Sequence, residues 1–226
     1  MSIAGASVSE ARYISPQRSY HWVLGAAMMA VIALGWKYPL LGLAAPVVMG
    51  AGMGISIFRG RWVCGNLCPR GSFFDTALKM VVPERKPPRW LRSMPFRWAM
   101  VAVLLGVTAW QGMLDPMNIE HWGLVFWRLC LVTTAVGVVF AFAAGARAWC
   151  AFCPMGTIQN GIGGHKQPLQ IDRSCQHCLE CESNCPMGLD IPANQKNGQY
   201  LERDCLRCST CQLNCPSGAL SWPKGG

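Results

Sequence analysis

The chain has 226 residues, is 52% hydrophobic and only 14% charged, and carries a formal net charge of +9. Residues 1–164 hold 14 Lys/Arg against 5 Asp/Glu, and residues 165–226 hold six of each sign, so the basic excess lies in the apolar part. That placement argues against nucleic-acid binding, which needs a basic soluble face, and points to charge at a membrane surface.

Residues 1–18 read as a short N-terminal segment with Arg12 and Arg18. A signal peptide would need a brief apolar core and a small-residue cleavage site. Here the first apolar stretch runs into a second after only Lys37-Tyr38-Pro39, so the N-terminus reads as uncleaved. Membrane-spanning helices take roughly 17–25 mostly apolar residues. Four stretches come close: Ser19 to Trp36, Tyr38 to Phe58, Trp98 to Leu114, and Trp122 to Ala146, the last interrupted by Arg128. Trp22, Trp36, Trp98, Trp110 and Trp122 fall near their ends, as interfacial tryptophans do. The run Gly50-Ala51-Gly52-Met53-Gly54 is expected to let helices approach closely. Residues 19–164 are therefore expected to form an all-α membrane domain of four transmembrane helices.

The second helix leads to Arg61-Trp62-Val63-Cys64-Gly65-Asn66-Leu67-Cys68-Pro69-Arg70-Gly71. The fourth leads to Arg147-Ala148-Trp149-Cys150-Ala151-Phe152-Cys153-Pro154-Met155-Gly156. Each copy is a helical hairpin followed by a basic residue, an aromatic, a cysteine pair, a proline and, one residue on, a glycine. The second copy is one residue shorter between its cysteines. Repeats of this kind often place a site at the interface of their halves.

Residues 59–97 carry nine basic residues against Asp75 and Glu84, whereas 111–121 has Asp115 and Glu120 and no Lys or Arg. The positive-inside rule puts 59–97, both termini and the C-terminal domain in the cytoplasm. Pro83 to Pro95 reads as a basic loop on anionic headgroups. Residues 159–168, with three glycines, read as a hinge.

Residues 165–226 hold the strongest signal. Cys175, Cys178, Cys181 and Cys185 form C-x2-C-x2-C-x3-C before Pro186. Cys205, Cys208, Cys211 and Cys215 repeat it before Pro216. Three thiolates on a tight loop reach three irons of one cubane, and the fourth caps the other cluster. Cys175, Cys178, Cys181 and Cys215 are thus expected to hold one [4Fe–4S] cluster, and Cys205, Cys208, Cys211 and Cys185 a second. A structural zinc site would instead show paired C-x2-C knuckles, and disulfides do not suit a cytoplasmic domain. About 60 residues make a thin apolar core, so the clusters are expected to serve as the core of this small α+β ferredoxin domain.

The four thiols of the Cys-Pro pairs, Cys64, Cys68, Cys150 and Cys153, are expected to converge on one site with Trp62, Trp149, Arg61 and Arg147 around it. Their use stays open: a further iron–sulfur cluster, copper(I) or zinc, exchangeable dithiols beside Arg61, Arg70 and Arg147, or structural turns with inert thiols. Cys130, alone in the fourth helix, reads as a small hydrophobe. Arg128 reads as snorkelling outward, with Glu120 or Asp115, or a lipid or quinone headgroup, as partner. His21 and His121 fall at opposite membrane faces, so no haem is expected. The hydrocarbon core is about 30 Å thick, which places any quinone reaction near the cytoplasmic face.

From Ser19 to Pro216 the chain resembles the NapH/MauN-type membrane ferredoxins, on Cys64, Cys68 and Pro69, on Cys150, Cys153 and Pro154, and on the eight ferredoxin cysteines. That family usually has C-x3-C-P in both copies, where the second copy here is C-x2-C-P. The resemblance implies electron transfer in the inner membrane between the quinone pool and a partner oxidoreductase, as a subunit of a quinol-dehydrogenase kind. Some relatives act instead in metalloenzyme maturation, binding or reducing a metal ion at such thiols.

Overall fold

The computed structural model describes residues 19–83 and 85–223. Arg12 and Arg18 lie outside the described residues. Helices occupy all four apolar stretches: α1 (Ser19–Leu34), α2 (Ala44–Arg59, entered through a 3-10 turn at Pro39–Leu43), α5 (Met94–Met113) and α6 (Ile119–Ala144). Short helices α3 (Trp62–Asn66) and α4 (Pro69–Phe73) follow α2, and α7 (Ala148–Phe152) and α8 (Pro154–Gly163) follow α6.

Two segments, Pro39–Arg59 and Ile119–Ala144, are long and apolar enough to cross a membrane, and little of either is buried within the protein. This composition and the apolar surface described below associate the chain with a membrane. The stretch Tyr20–Leu34 is apolar but shorter. Helix α6 starts where Asn118 Oδ1 accepts from the backbone N–H groups of Glu120 and His121, at 3.0 and 3.4 Å, which satisfies two orphan donors of its first turn.

Of the small-residue run in α2, only Gly52 makes a close approach: a Cβ there would lie 2.8 Å from Gln159 Nε2. Gly50 and Gly54 face open space. The tight crossing is elsewhere, where Gly42 of the 3-10 turn meets the Gly123 carbonyl on α6 with no room for a Cβ.

The C-terminal part is a four-stranded antiparallel sheet of β1 (Leu169–Ile171), β2 (Gln195–Lys196), β3 (Gln199–Tyr200) and β4 (Leu220–Ser221), in the order β2-β3-β1-β4. Its two cysteine loops carry the one-turn helices α9 (Glu180–Ser183) and α10 (Thr210–Leu213). Its apolar side chains do not stand alone. Leu169, Met187, Leu189, Tyr200 and Leu206 join Phe74, Leu91, Trp149 and Phe152 of the helical part in one continuous core. The small domain is thus supported from beneath by the helical bundle as well as by whatever its cysteines bind.

Three expectations need correction. Residues 159–163 are the last turns of α8, with Gln159 and Asn160 buried, so they are no hinge; Pro154 at the helix start outweighs the glycines. The basic 83–95 segment also touches the ferredoxin part: Lys86 Nζ donates to the Glu182 carbonyl at 3.0 Å, and Arg89 pairs with Asp190 at 3.2 Å. Arg128 is exposed, and among the described residues no ion pair joins it to Glu120 or Asp115.

Candidate iron–sulfur sites

The two ferredoxin loops have the same backbone form. His177 and Leu179 flank Cys178 with φ of 53° and 65°, and Arg207 and Ser209 flank Cys208 with φ of 53° and 63°. Left-handed residues on both sides of the middle cysteine coil each loop tightly, so three thiols turn to a common side. Cys185 comes from the first motif, yet its thiol faces Cys208, Cys205 and Cys211. Cys181 faces Cys175 and Cys178. Cys215 sits beside Ser217, 3.5 Å from its Oγ. Burial pushes the Cys181 thiol up to about 11 and the Cys205 thiol up to about 12, and raises Cys211 as well. Buried thiols of this kind give up their protons to a metal rather than to water.

The Cys-Pro turns repeat one another residue by residue. Each long helix ends at a glycine with positive φ, Gly60 at 57° and Gly145 at 96°. An arginine then caps a five-residue helix, Arg61 on α3 and Arg147 on α7, whose third residue is the first cysteine, Cys64 or Cys150. The second cysteine, Cys68 or Cys153, caps the next helix in extended backbone, and proline opens that helix. Leu67, between α3 and Cys68, is the residue the shorter copy lacks. The difference falls in the link between helix and cap and leaves both first cysteines in place.

The two turns interlock. Arg61 Nη2 donates to the Cys150 carbonyl at 2.8 Å, and Arg147 Nη1 donates to the Cys64 carbonyl at 3.1 Å. Each guanidinium passes over the glycine two residues after the opposite copy's proline: a Cβ at Gly156 would lie 2.6 Å from Arg61 Nη2, and one at Gly71 would lie 2.7 Å from Arg147 Nη1. Cys64 therefore lies close enough to Cys68, Cys153 and Cys150, all half-buried, to feel their charge. Burial pushes its thiol up to about 12, with Arg61 working the other way. Cys150 is raised for the same reason against Arg147, whose Nη1 lies 3.6 Å from its sulfur. Cys64 Sγ also donates to Gln159 Oε1 at 2.9 Å.

Arg147 forms a two-point pair with Asp75 through its Nε and Nη2. Arg70 does not join the thiols. Its guanidinium lies over the Trp149 ring at 5.6 Å and donates to Thr133 Oγ1 at 2.8 Å and to Cys130 at 3.7 Å, so Cys130 accepts a charged partner and is more than apolar filling. Trp62 lies under Arg59, 5.5 Å from ring to guanidinium. His21 Nε2 meets the Asn66 carbonyl at 3.1 Å, and His121 Nε2 meets the Gln111 carbonyl at 2.8 Å.

Among the described residues, no three His, Cys, Asp or Glu side chains gather tightly enough to hold a single metal ion. This holds for the ferredoxin loops as well as for the Cys-Pro turns. A lone zinc holds sulfurs at about 2.3 Å, which brings ligands close together, whereas a cubane puts its own irons and sulfides between the thiolates. The all-thiol donor set of the ferredoxin loops suits a 4Fe–4S group.

A family model described as a 4Fe-4S binding domain matches residues 41–89 and again residues 125–171, so each copy takes in one Cys-Pro turn. A model described as a 4Fe-4S dicluster domain matches residues 174–220. The methylamine utilization ferredoxin-type protein MauN of Methylorubrum extorquens is 30% identical over 139 residues, which is 56% of this chain and 47% of that protein. The chain thus spans about half the length of the curated relative it matches. No solved structure matches. With its tandem cysteine loops and its two interlocked Cys-Pro turns, the chain is an iron–sulfur protein of ferredoxin type, similar to MauN over about half of its length.

Proposed function

We propose that this protein crosses the membrane four times and relays electrons between the quinone pool and a partner redox protein, through two [4Fe–4S] clusters in its cytoplasmic ferredoxin domain and a third at the Cys-Pro turns. The observation that carries the third cluster is the interlock. Two buried arginines each hold the carbonyl of the opposite copy's first cysteine, which draws the two thiol pairs toward one another. The match of one 4Fe-4S model to both repeats supports it further. Four spans are supported by the apolar surface on all four long helices: Trp22 and Val23 on α1, Val47 and Phe58 on α2, Val103 and Trp110 on α5, and Val139 and Phe142 on α6 are all exposed. An apolar belt of that extent is covered by lipid or by protein.

When bound, the clusters take up and release single electrons without bond changes. The chain's own residues hold them in order. Arg61 and Arg147 place positive charge beside the Cys-Pro thiols, which favours their thiolate form. The quinone is expected to react near this face, since the Cys-Pro turns follow the ends of α2 and α6 and the first of them touches the ferredoxin part.

The test is Cys64→Ala in the full-length protein in detergent. It should remove about four irons per chain and one reducible signal, and leave both ferredoxin signals in place. Unchanged iron content would sink the third cluster.

A further inference from the structure

The two arginines of the interlock are neutralised differently. Arg147 takes Asp75, an acid of the helical part that follows α4. Arg61 takes Asp204, which belongs to the ferredoxin part and directly precedes Cys205. Asp204 Oδ1 accepts from Arg61 Nη1 at 3.0 Å, from Arg97 Nη1 at 2.7 Å and from Asn160 Nδ2 at 2.5 Å. These donors come from the cap of α3, the first turn of α5 and the middle of α8. Asp204 is buried, and Arg61 and Arg97 are 0% and 1% exposed. One carboxylate between two buried guanidiniums leaves a positive charge over, and the Cys-Pro thiols lie on the other side of Arg61. Charges this deep are tolerated only when they are paired, so Asp204 has little freedom to leave.

The same contact brings two cysteine loops together. A Cβ on Gly65 would collide with the Leu206 carbonyl and lie 3.3 Å from Cys208 Cβ. Asn66 Nδ2 donates to the Arg207 carbonyl at 3.2 Å. Arg207 Nη2 in turn donates to the Gly164 carbonyl at 3.0 Å. The first-motif loop has a different setting: Cys178 is exposed, and Cys175 borders an open cleft with Arg173 and His177.

We propose that Asp204 is a positioning residue: with Arg61 and Arg97 it seats the Cys205–Cys208 loop on the bare backbone of Gly65, so that the second-motif cluster, and not the first, exchanges an electron with the Cys-Pro site. This rests on the third cluster proposed above. One electron leaves the reduced cluster at the Cys-Pro thiols and enters the oxidised cluster at Cys205, Cys208, Cys211 and Cys185, or runs the other way. No bond forms or breaks and no proton moves. The electron comes from a quinol on the membrane side or from the partner redox protein on the other. The first-motif cluster is then the outer terminal.

The test uses dithionite-reduced full-length protein and reads the magnetic interaction between clusters by EPR. Beside the splitting between its two ferredoxin clusters, the parent protein should show a further splitting that disappears in Cys64→Ala and in Cys208→Ala and survives Cys178→Ala. Asp204→Asn, which keeps shape and removes charge, and Gly65→Ala, which adds one methyl at the contact, should each weaken it with iron content unchanged. Asp204→Glu should restore part of it. A further splitting that survives Cys208→Ala, or that ignores both Asp204→Asn and Gly65→Ala, overturns the positioning role while the third cluster stands. Unchanged iron in Cys64→Ala overturns both.

Discussion

Arg61 and Arg147 hold each other's repeat: Arg61 donates to the carbonyl of Cys150, and Arg147 donates to the carbonyl of Cys64. Neither hydrogen bond closes within its own hairpin. The interlock explains why the motif needs more than its cysteines. The arginine must reach across, and the glycine two residues after each proline, Gly71 or Gly156, must be bare to let it pass. The two turns are thereby tied to one another.

Arg147→Ala should be among the most damaging single changes outside the cysteines. It leaves Asp75 without its two-point partner and the Cys64 carbonyl without its donor. Breaking a buried pair in this way costs about 3–5 kcal/mol; Asp75 is partly exposed, which favours the lower end. Arg147→Lys should rescue little, since one ammonium cannot serve a carboxylate and a carbonyl with the reach of a planar fork. Thermal unfolding in detergent, together with loss of the Cys-Pro iron, checks both variants. By contrast, Arg89→Ala removes a pair whose arginine is largely exposed, and such a pair is worth about 0–1 kcal/mol.

Alkylation of cluster-free protein should separate the cysteines by burial. Burial holds Cys64 near a pKa of about 12, so at pH 8 only about one thiol in ten thousand is the reactive thiolate. Cys178 is exposed and should be modified first. Raising the pH from 8 to 10 should speed labelling of Cys64 roughly in proportion to hydroxide, because its titration lies above that range. Mass-spectrometric mapping of modified peptides reads this directly. Equal rates for Cys64 and Cys178 at pH 8 would mean the Cys-Pro turns are open to water.

The parts of this fold carried by local pattern were legible in the sequence. The four apolar stretches became the four long helices, to within a few residues at each end. The tandem cysteine loops and the repeated Cys-Pro turns stand where their spacing put them. The unread parts depend on partners far along the chain. Asp204 is separated by more than a hundred residues from Arg61 and Arg97, and nothing beside it announces a buried acid. One signal was available: Asp204 puts an acid directly before the first cysteine of its motif, where the first motif has Ser174. Asn160 and Gln159 were hidden by neighbouring glycines that read as a breaker, although Pro154 had already started the helix. The contacts of the 83–95 segment with the ferredoxin part were not legible, because its charges suit a headgroup surface as well as they suit Glu182 and Asp190.

Orientation can be tested at the loop between α5 and α6. Residues 111–121 lack Lys and Arg, whereas 59–97 has nine, and that asymmetry sets the expected side of each. Met117 at the loop tip is 94% exposed. A protease site inserted after Met117 should be cut in intact spheroplasts, and one fused to the C-terminus should be cut only after lysis. The reverse pattern would put the ferredoxin domain outside the cell.

The ligand crossing gives the sharpest test of the ferredoxin domain. Cys185 belongs to the first motif by sequence, yet its thiol sits with Cys205, Cys208 and Cys211. The cause is chain geometry: the three cysteines of one tight loop reach one cubane, and the fourth lies too far along. Cys185→Ser should therefore disturb the cluster of the second motif, the one seated on Gly65, and spare the cluster of Cys175, Cys178 and Cys181. An alkoxide or water in place of a thiolate shifts the potential of that cluster and changes its EPR line shape, so redox titration distinguishes the two. Cys205→Ser should disturb the same signal, and Cys178→Ser should disturb the other. If Cys185→Ser and Cys178→Ser alter one signal together and leave that of Cys205→Ser untouched, the motifs hold their clusters without exchange. The inward cluster would then depend only on residues 205–215.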